Sequence, residues 1–372
     1  MSTATPPSVQ AFDEIRAHSQ RLRAQLARVI VGQDQIIEQL LVALFSQGHI
    51  LIVGVPGLAK TLLVRTLAQA LDLHYRRIQF TPDMMPSDIL GTELIQEDPH
   101  SHERALKFLP GPIFAQLILA DEINRTPPKT QAALLEAMAE RQVTVAGRTL
   151  PLEQPFVVVA TQNPIEQEGT YPLPEAALDR FMFSLWMDYP TQEEEVRIVG
   201  ETPRIQTEKV ERIFNHAALL QSIDAIGRMP VSQHVVNYAV ALARATRPNG
   251  EIVAGFNGKP GGSGGTSGGG GSPRRDAVGF EGSGGALAVY VKKYVQWGAG
   301  PRAGQYLTQG AKALAALEGE PTPNCQHIRR IAPAVLRHRI IPNYAATGEN
   351  IGSQQIIARV LQDVPEPKYE AQ

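Results

Sequence analysis

The stretch Gly54-Val-Pro-Gly-Leu-Ala-Lys-Thr61 decides the fold of this chain. It follows the apolar run His49-Ile-Leu-Ile-Val53 and opens a helical pattern from Thr61 to Leu71, the strand–loop–helix order that a phosphate-binding loop requires. Glycines at 54 and 57 let the backbone curl so that successive N–H groups point inward, and the following helix N-terminus adds partial positive charge. Residues Gly54, Val55, Pro56, Gly57, Leu58, Ala59, Lys60, Thr61 and Leu62 are therefore the candidate nucleotide contacts. Lys60 reaches the β- and γ-phosphates, and the Thr61 hydroxyl ligates Mg²⁺. The pattern asks for glycine before the lysine, and this chain has Ala59. Read as the start of the helix, position 59 takes a negative φ and tolerates a methyl group. The competing reading is an ordinary Gly/Pro turn between strand and helix.

A phosphate loop alone does not separate an ATPase from a GTPase or a kinase, so the next strands matter. Leu117-Ile-Leu-Ala-Asp121-Glu122 places two carboxylates at the C-terminal end of a buried strand, where ligands of open α/β sheets bind. Asp121 is the candidate Mg²⁺ holder and Glu122 the candidate base that polarises the attacking water. Ala160-Thr-Gln-Asn163 ends the next strand, where Asn163 can hydrogen-bond both that water and the γ-phosphate. Alone, Asn163 reads equally well as a turn residue before Pro164.

Short, nearly all-apolar runs at 49–53, 75–80, 117–120 and 155–161 alternate with helical patterns, which argues for a parallel sheet covered on both faces. Two amphipathic helices, 9–29 and 34–47, precede it. Thr126 is positioned to cap the helix running to Glu140, with Pro127 in its first turn. Gln142–Val145 and Thr149–Leu152 flank Ala146-Gly-Arg148 and read as a hairpin. Beyond Asp188–Thr191 the pattern becomes helical, with segments at 192–200, 211–227, 232–247, 301–317 and 323–340. The division expected is an α/β nucleotide-binding domain over 1–190 and an all-α domain over 191–372, with a flexible Gly/Ser-rich insertion at 255–285. Its core, Gly261–Ser272, reads as a surface coil of roughly 17–21 Å r.m.s. span.

A chain of 372 residues is long enough for two domains, and 43% hydrophobic with 19% charged residues is ordinary for a globular protein. A net charge of −2 gives no global electrostatic attraction to nucleic acid or anionic membrane. The single cysteine, Cys325, excludes an internal disulfide and fits a reducing cytosol. The first residues carry neither a basic region nor an apolar core of the secretory kind, and no apolar run approaches ~18 residues. A cytoplasmic location is expected.

Together the segments Gly54–Thr61, Ala120-Asp-Glu-Ile-Asn-Arg-Thr-Pro-Pro-Lys-Thr-Gln131 with Ala133–Met138, Ala160-Thr-Gln-Asn-Pro164 and Leu178-Asp-Arg-Phe181 resemble the AAA+ ATPases, and specifically the MoxR family. The resemblance spans roughly residues 10–362. It implies a P-loop AAA+ parallel-sheet sandwich with a C-terminal all-α lid, ATP and Mg²⁺ as ligands, and a homo-oligomeric ring of six subunits. It places Val31, Gly32 and Gln33 near the adenine. Arg180 looks like an arginine finger that reaches a neighbour's γ-phosphate, and Arg302 like a second sensor on the lid. The plainer alternatives are a surface ion pair for Arg180 and a helix N-terminal residue for Arg302. Independently of the family, phosphoryl transfer concentrates negative charge that a fixed guanidinium neutralises. Residues 83–110 resemble the family's helix-2 insert, and with the hairpin 142–152 they correspond to elements that project toward the pore in related machines. The hairpin offers Arg148, with Arg141 at its base, where a DNA-tracking loop presents several basic residues. The function expected is Mg²⁺-dependent ATP hydrolysis that drives chaperone-like remodelling, maturation or activation of partner proteins, often ones with a von Willebrand factor A domain. The alternatives are a nucleic-acid-dependent AAA+ motor and a nucleotide-gated scaffold with little turnover.

Overall fold

The computed structural model describes residues 9–97, 104–166, 169–205, 210–248 and 284–367. The glycine tract 261–272 lies outside them, and the last two residues of the expected insertion, Gly284 and Gly285, open a helix instead.

Helices α1 (Val9–Ala27) and α2 (Asp34–Phe45) lead into β1 (His49–Gly54), α3 (Lys60–Ala70), β2 (Tyr75–Gln79) and the short α4 (Pro86–Leu90). An antiparallel pair, β3 (Gly91–Glu97) and β4 (Arg104–Pro110), projects before β5 (Leu117–Asp121) and α5 (Pro128–Glu140). The hairpin β6 (Gln142–Val145) and β7 (Arg148–Pro151) precedes β8 (Val157–Gln162), α6 (Glu175–Leu178) and β9 (Phe181–Met187). The remainder is α7 (Gln192–Ile205), α8 (His216–Arg228), α9 (Gln233–Ala245), α10 (Gly284–Tyr294), β10 (Val295–Trp297), α11 (Pro301–Glu318), α12 (Cys325–Leu336), β11 (Ile341–Pro342), α13 (Tyr344–Gly348) and α14 (Ser353–Asp363).

Five strands form one parallel sheet in the order β2-β5-β8-β1-β9. Successive side chains of a strand point to opposite faces, and here both faces are apolar. Ile50, Ile52, Leu117, Leu119, Val157 and Val159 enter one core, shared with α1, α2, α3 and the C-terminal helices. Leu51, Ile118, Ala120, Val158 and Ala160 enter the other, against Leu134, Leu135 and Met138 of α5. Helices α11 and α12 join the first core directly, with Leu307, Leu314, Ile328 and Ile331 in the same cluster as Met182 and Phe183 of β9. The expected parallel α/β sheet with a C-terminal helical lid is the fold observed.

Several boundaries shift for local reasons. Thr126 does not cap α5; Pro127 is the N-cap and Pro128 the first helical residue, while the Thr126 hydroxyl is buried without a partner among the described residues. The segment expected to be helical from 211 starts only at His216, where the Asn215 side chain accepts from Ala218 N at 2.8 Å. Just before it, Ile213 N–H is committed to the Ala70 carbonyl at 2.8 Å. The β6–β7 turn is Ala146-Gly147, both at positive φ (50° and 77°), so Arg148 pairs with Val145 instead of standing in the turn. A two-residue turn of that hand matches the twist of its strands. The helical segment expected over 323–340 stops at Leu336 and begins at Cys325.

Candidate functional site

The C-terminal ends of β2, β5 and β8 and the loop after β1 open onto a cavity of about 470 Å³. Its walls are Pro56 to Leu62 of the loop, Arg77, Asp121, Glu122, Thr161 and Asn163. The loop is built as the sequence suggests. Gly57 holds φ +87°, and a Cβ on Gly54 would lie 2.8 Å from the Met187 carbonyl on β9. Lys60 starts α3, and its ammonium donates to the Gly54 carbonyl. Burial pushes the Lys60 ammonium below its ordinary pKa, while Asp121 and Glu122 pull it back up. Ala59 corrects one expectation: it is the N-cap at φ 56°, ψ 22°, in the left-handed region and not at a helical negative φ. The chain must reverse its curl there to enter α3, which is why glycine suits the position.

The two carboxylates are held by neighbours that the sequence reading did not single out. Asp121 accepts from Thr161 Oγ1 at 2.6 Å through Oδ1, and from Arg77 Nη2 at 2.6 Å and Nε at 3.0 Å through Oδ2. Glu122 sits at φ 58°, a sparsely populated conformation for a non-glycine residue, and its N–H donates to Thr161 Oγ1 at 2.9 Å. One Glu122 oxygen accepts from Gln79 Nε2 at 2.8 Å and lies 3.2 Å from Arg125 Nε. Asn163 is buried at the end of β8, its Oδ1 accepting from Ile165 N at 3.2 Å. Nearby Glu166 is held below the ordinary carboxylate range chiefly by its hydrogen bond from Arg125. The missed groups left a faint signal: Arg77 and Gln79 alternate along β2, so both lie on one face, and Gln79 is in register with Asp121.

Thr61 and Asp121 face the same cavity and supply hard oxygen donors, so the residues present fit Mg²⁺. Gly54 and Val55 are not in the cavity wall; Gly54 is the last residue of β1. Val31, Gly32 and Gln33 lie outside the wall too, but at the same end of the sheet. Gln33 Nε2 donates to the Asp188 carbonyl at 3.3 Å, just beyond the Gly54–Met187 pair, and the Glu194 carboxylate lies 2.4 Å from where a Cβ on Gly32 would be.

Arg180 and Arg302 are not in the cavity. Arg180 immediately precedes β9, whose Phe181 pairs with His49 at the start of β1, whereas the loop follows Gly54 at its end. Five strand steps at roughly 3.3 Å put the two ends ~17 Å apart. Arg302, in the first turn of α11, pairs with Asp179 at 3.0 Å. The structure therefore groups Arg302 with the Arg180 edge and not with the phosphate loop.

Comparison with known proteins agrees with this geometry. Residues 49–183 match the ATPase family associated with various cellular activities (AAA), and residues 287–360 match the AAA lid domain. The chain is 39% identical to the chaperone MoxR1 of Mycobacterium tuberculosis over 93% of its own length and 82% of that protein. It is 30% identical to the protein MoxR of Methylorubrum extorquens over 99% of its length and 100% of that protein. A crystal structure of a Cytophaga hutchinsonii protein superposes with a TM-score of 0.80 at 36% identity, over 96% of this chain and 98% of that one. With a phosphate loop, an acidic strand end and a helical lid in one chain, and relatives alike along nearly all its length, this protein is an ATPase and belongs to the MoxR family of AAA+ ATPases.

Proposed function

We propose that this chain is a Mg²⁺-dependent ATP hydrolase that works in the cytoplasm as a ring of six subunits and remodels or activates partner proteins. The observation that carries it is the meeting of Lys60, Thr61, Asp121, Glu122 and Asn163 around one cavity, while Arg180 stands at the opposite end of the sheet. The loop N–H groups and Lys60 bind the phosphates, and Thr61 and Asp121 would hold Mg²⁺, which when bound neutralises charge on the transferring phosphoryl group. Glu122 takes the proton of the attacking water, which Asn163 helps to orient. Arg180 lies too far from its own phosphate loop to serve it, so it completes the site of a neighbour, and Arg302 shares that edge. Trans-acting arginines require a head-to-tail interface, which closes as a ring.

Partner proteins suit the projecting elements better than nucleic acid. Beside its exposed Arg104 and Lys107, the β3–β4 pair exposes Leu94, Ile95, Leu106 and Leu109, apolar side chains that a protein surface can cover and a phosphate backbone cannot. The MoxR1 relative is named a chaperone, and the family resemblance extends the proposal to partners with a von Willebrand factor A domain.

Two substitutions test the site. Lys60→Ala should abolish binding of a fluorescent ATP analogue. Glu122→Gln should retain binding but lower kcat by ~10²–10⁴-fold, and chelating Mg²⁺ should stop the wild type. Wild-type turnover in Glu122→Gln would remove the general base from this reading.

A further inference from the structure

Asp179 and Arg180 join α6 to Phe181, the first residue of β9, and the backbone carbonyls of all three are held from α11 and from the segment that follows α12. Tyr306 Oη on α11 donates to the Arg180 carbonyl at 3.1 Å. Arg339, three residues past α12, donates from Nη2 to the carbonyls of Asp179 at 2.9 Å and Phe181 at 2.7 Å. His338 Nε2 donates to the Phe181 carbonyl as well, at 3.0 Å. The Asp179 carboxylate is gripped from two sides, by Arg339 Nε at 2.8 Å and Arg302 Nη1 at 3.0 Å. The Arg339 side chain is only 2% exposed, and its Nη1 is spent on the Met182 and Val335 carbonyls. Arg180 contrasts with all of this. Its own side chain makes no hydrogen bond or ion pair among the described residues.

A buried guanidinium is unfavourable unless each donor finds an acceptor, and an apolar side chain fills a core with less to satisfy. Arg339 meets that demand by reading the backbone on both sides of Arg180. An arginine that must neutralise developing charge needs a fixed point of departure, because about 1 Å of misplacement can cost ~10²-fold in rate. We infer that Asp179 and Arg339 are positioning residues for ATP hydrolysis in the neighbouring subunit: they fix the backbone that carries Arg180 and tie it to lid helices α11 and α12. This rests on the reading of Arg180 as a trans-acting arginine. Asp179 also joins Arg180 to Arg302, so one carboxylate holds both candidate arginines of that edge.

Asp179→Asn keeps an acceptor for Arg339 but removes the charge the two arginines share. It should bind a non-hydrolysable ATP analogue with unchanged affinity and lose ~10–100-fold in kcat. Mixing with Lys60→Ala subunits should restore activity, because those subunits bring an intact Asp179–Arg180 edge to a pocket that still holds ATP. Arg339→Lys keeps a charge but cannot span five acceptors, and it should behave alike. Thermal unfolding shows which variants fold. If neither does, Tyr306→Phe decides, since it deletes one hydroxyl and should still lower kcat in a way that mixing restores. Wild-type kcat in the folded variants, or a loss that mixing does not restore, overturns the inference. Arg180→Ala, assayed beside them, separates the two ideas. If it is inactive and rescued by mixing while the Asp179 variant is normal, the trans-acting arginine stands and the positioning role falls. If Arg180→Ala is not rescued although mixed oligomers form, the trans reading falls and takes this inference with it.

Discussion

A methyl group at position 59 meets its own backbone in the left-handed conformation, which costs an L-residue about 1–2 kcal/mol. Glycine escapes that cost but has more freedom to lose on folding, about 0.5–1 kcal/mol. Ala59→Gly should therefore stabilise the nucleotide-free protein by about 0.5–1 kcal/mol, a rise of ~1–3 °C in melting temperature for a chain of this size. An unchanged or lower midpoint would show that the loop carries no such strain. The same residue marks where reading by motif ends. Lys60, Thr61, Asp121, Glu122 and Asn163 were legible because each lies in a short local pattern at a strand end, and the structure gathers them in one cavity. Arg77 and Thr161 were not, because their partners come from sheet register, which brings residues 44 and 40 positions apart into contact with Asp121. Arg339 was read as the tail of a helix; its role depends on carbonyls 157 to 160 residues away.

Among the elements, the apolar strands were legible, since short unbroken runs of Val, Ile and Leu fit a sheet buried on both faces. Helix ends were less so, because caps such as Asn215 and Pro127 compete with equally plausible neighbours. One residue ties three elements together without any motif. His49 of β1 accepts from Val158 N of β8 at 3.1 Å through Nδ1 and donates from Nε2 to the Met138 carbonyl of α5 at 3.1 Å. Those bonds define a neutral imidazole. Burial lowers its pKa from 6.5 to about 4, with the Met138 carbonyl opposing and Arg141 adding to the drop. The unfolded chain thus takes up the proton more readily than the folded one. The contribution is fully present above about pH 6.5 and is lost as pH falls toward about 4, up to about 3 kcal/mol. Urea midpoints measured between those pH values should fall more steeply for the wild type than for His49→Gln. Parallel slopes would remove His49 from the acid sensitivity.

For the whole molecule, the sheet sets the logic of assembly. The phosphate loop and Arg180 occupy opposite ends of the β1–β9 pair, so under the trans role proposed for Arg180 no subunit completes its own site. Arg180→Ala should bind ATP and turn it over ~10³-fold more slowly, and Lys60→Ala should not bind it at all. Mixing the two should recover activity that neither has alone, saturating with protein concentration because assembly creates the site. Persistent inactivity of mixed oligomers would place Arg180 in its own fold.

The direction of the sheet also gives the assembly a terminus problem. With Arg180 acting in trans as proposed, each subunit has one receiving end and one lending end, so an open arc leaves its last receiver unserved. A dimer then runs at no more than half the per-subunit rate of a closed ring, and each added subunit dilutes the vacant post without filling it. Only closure does. Specific activity measured against oligomer size should climb toward a ceiling and reach it when the two ends meet.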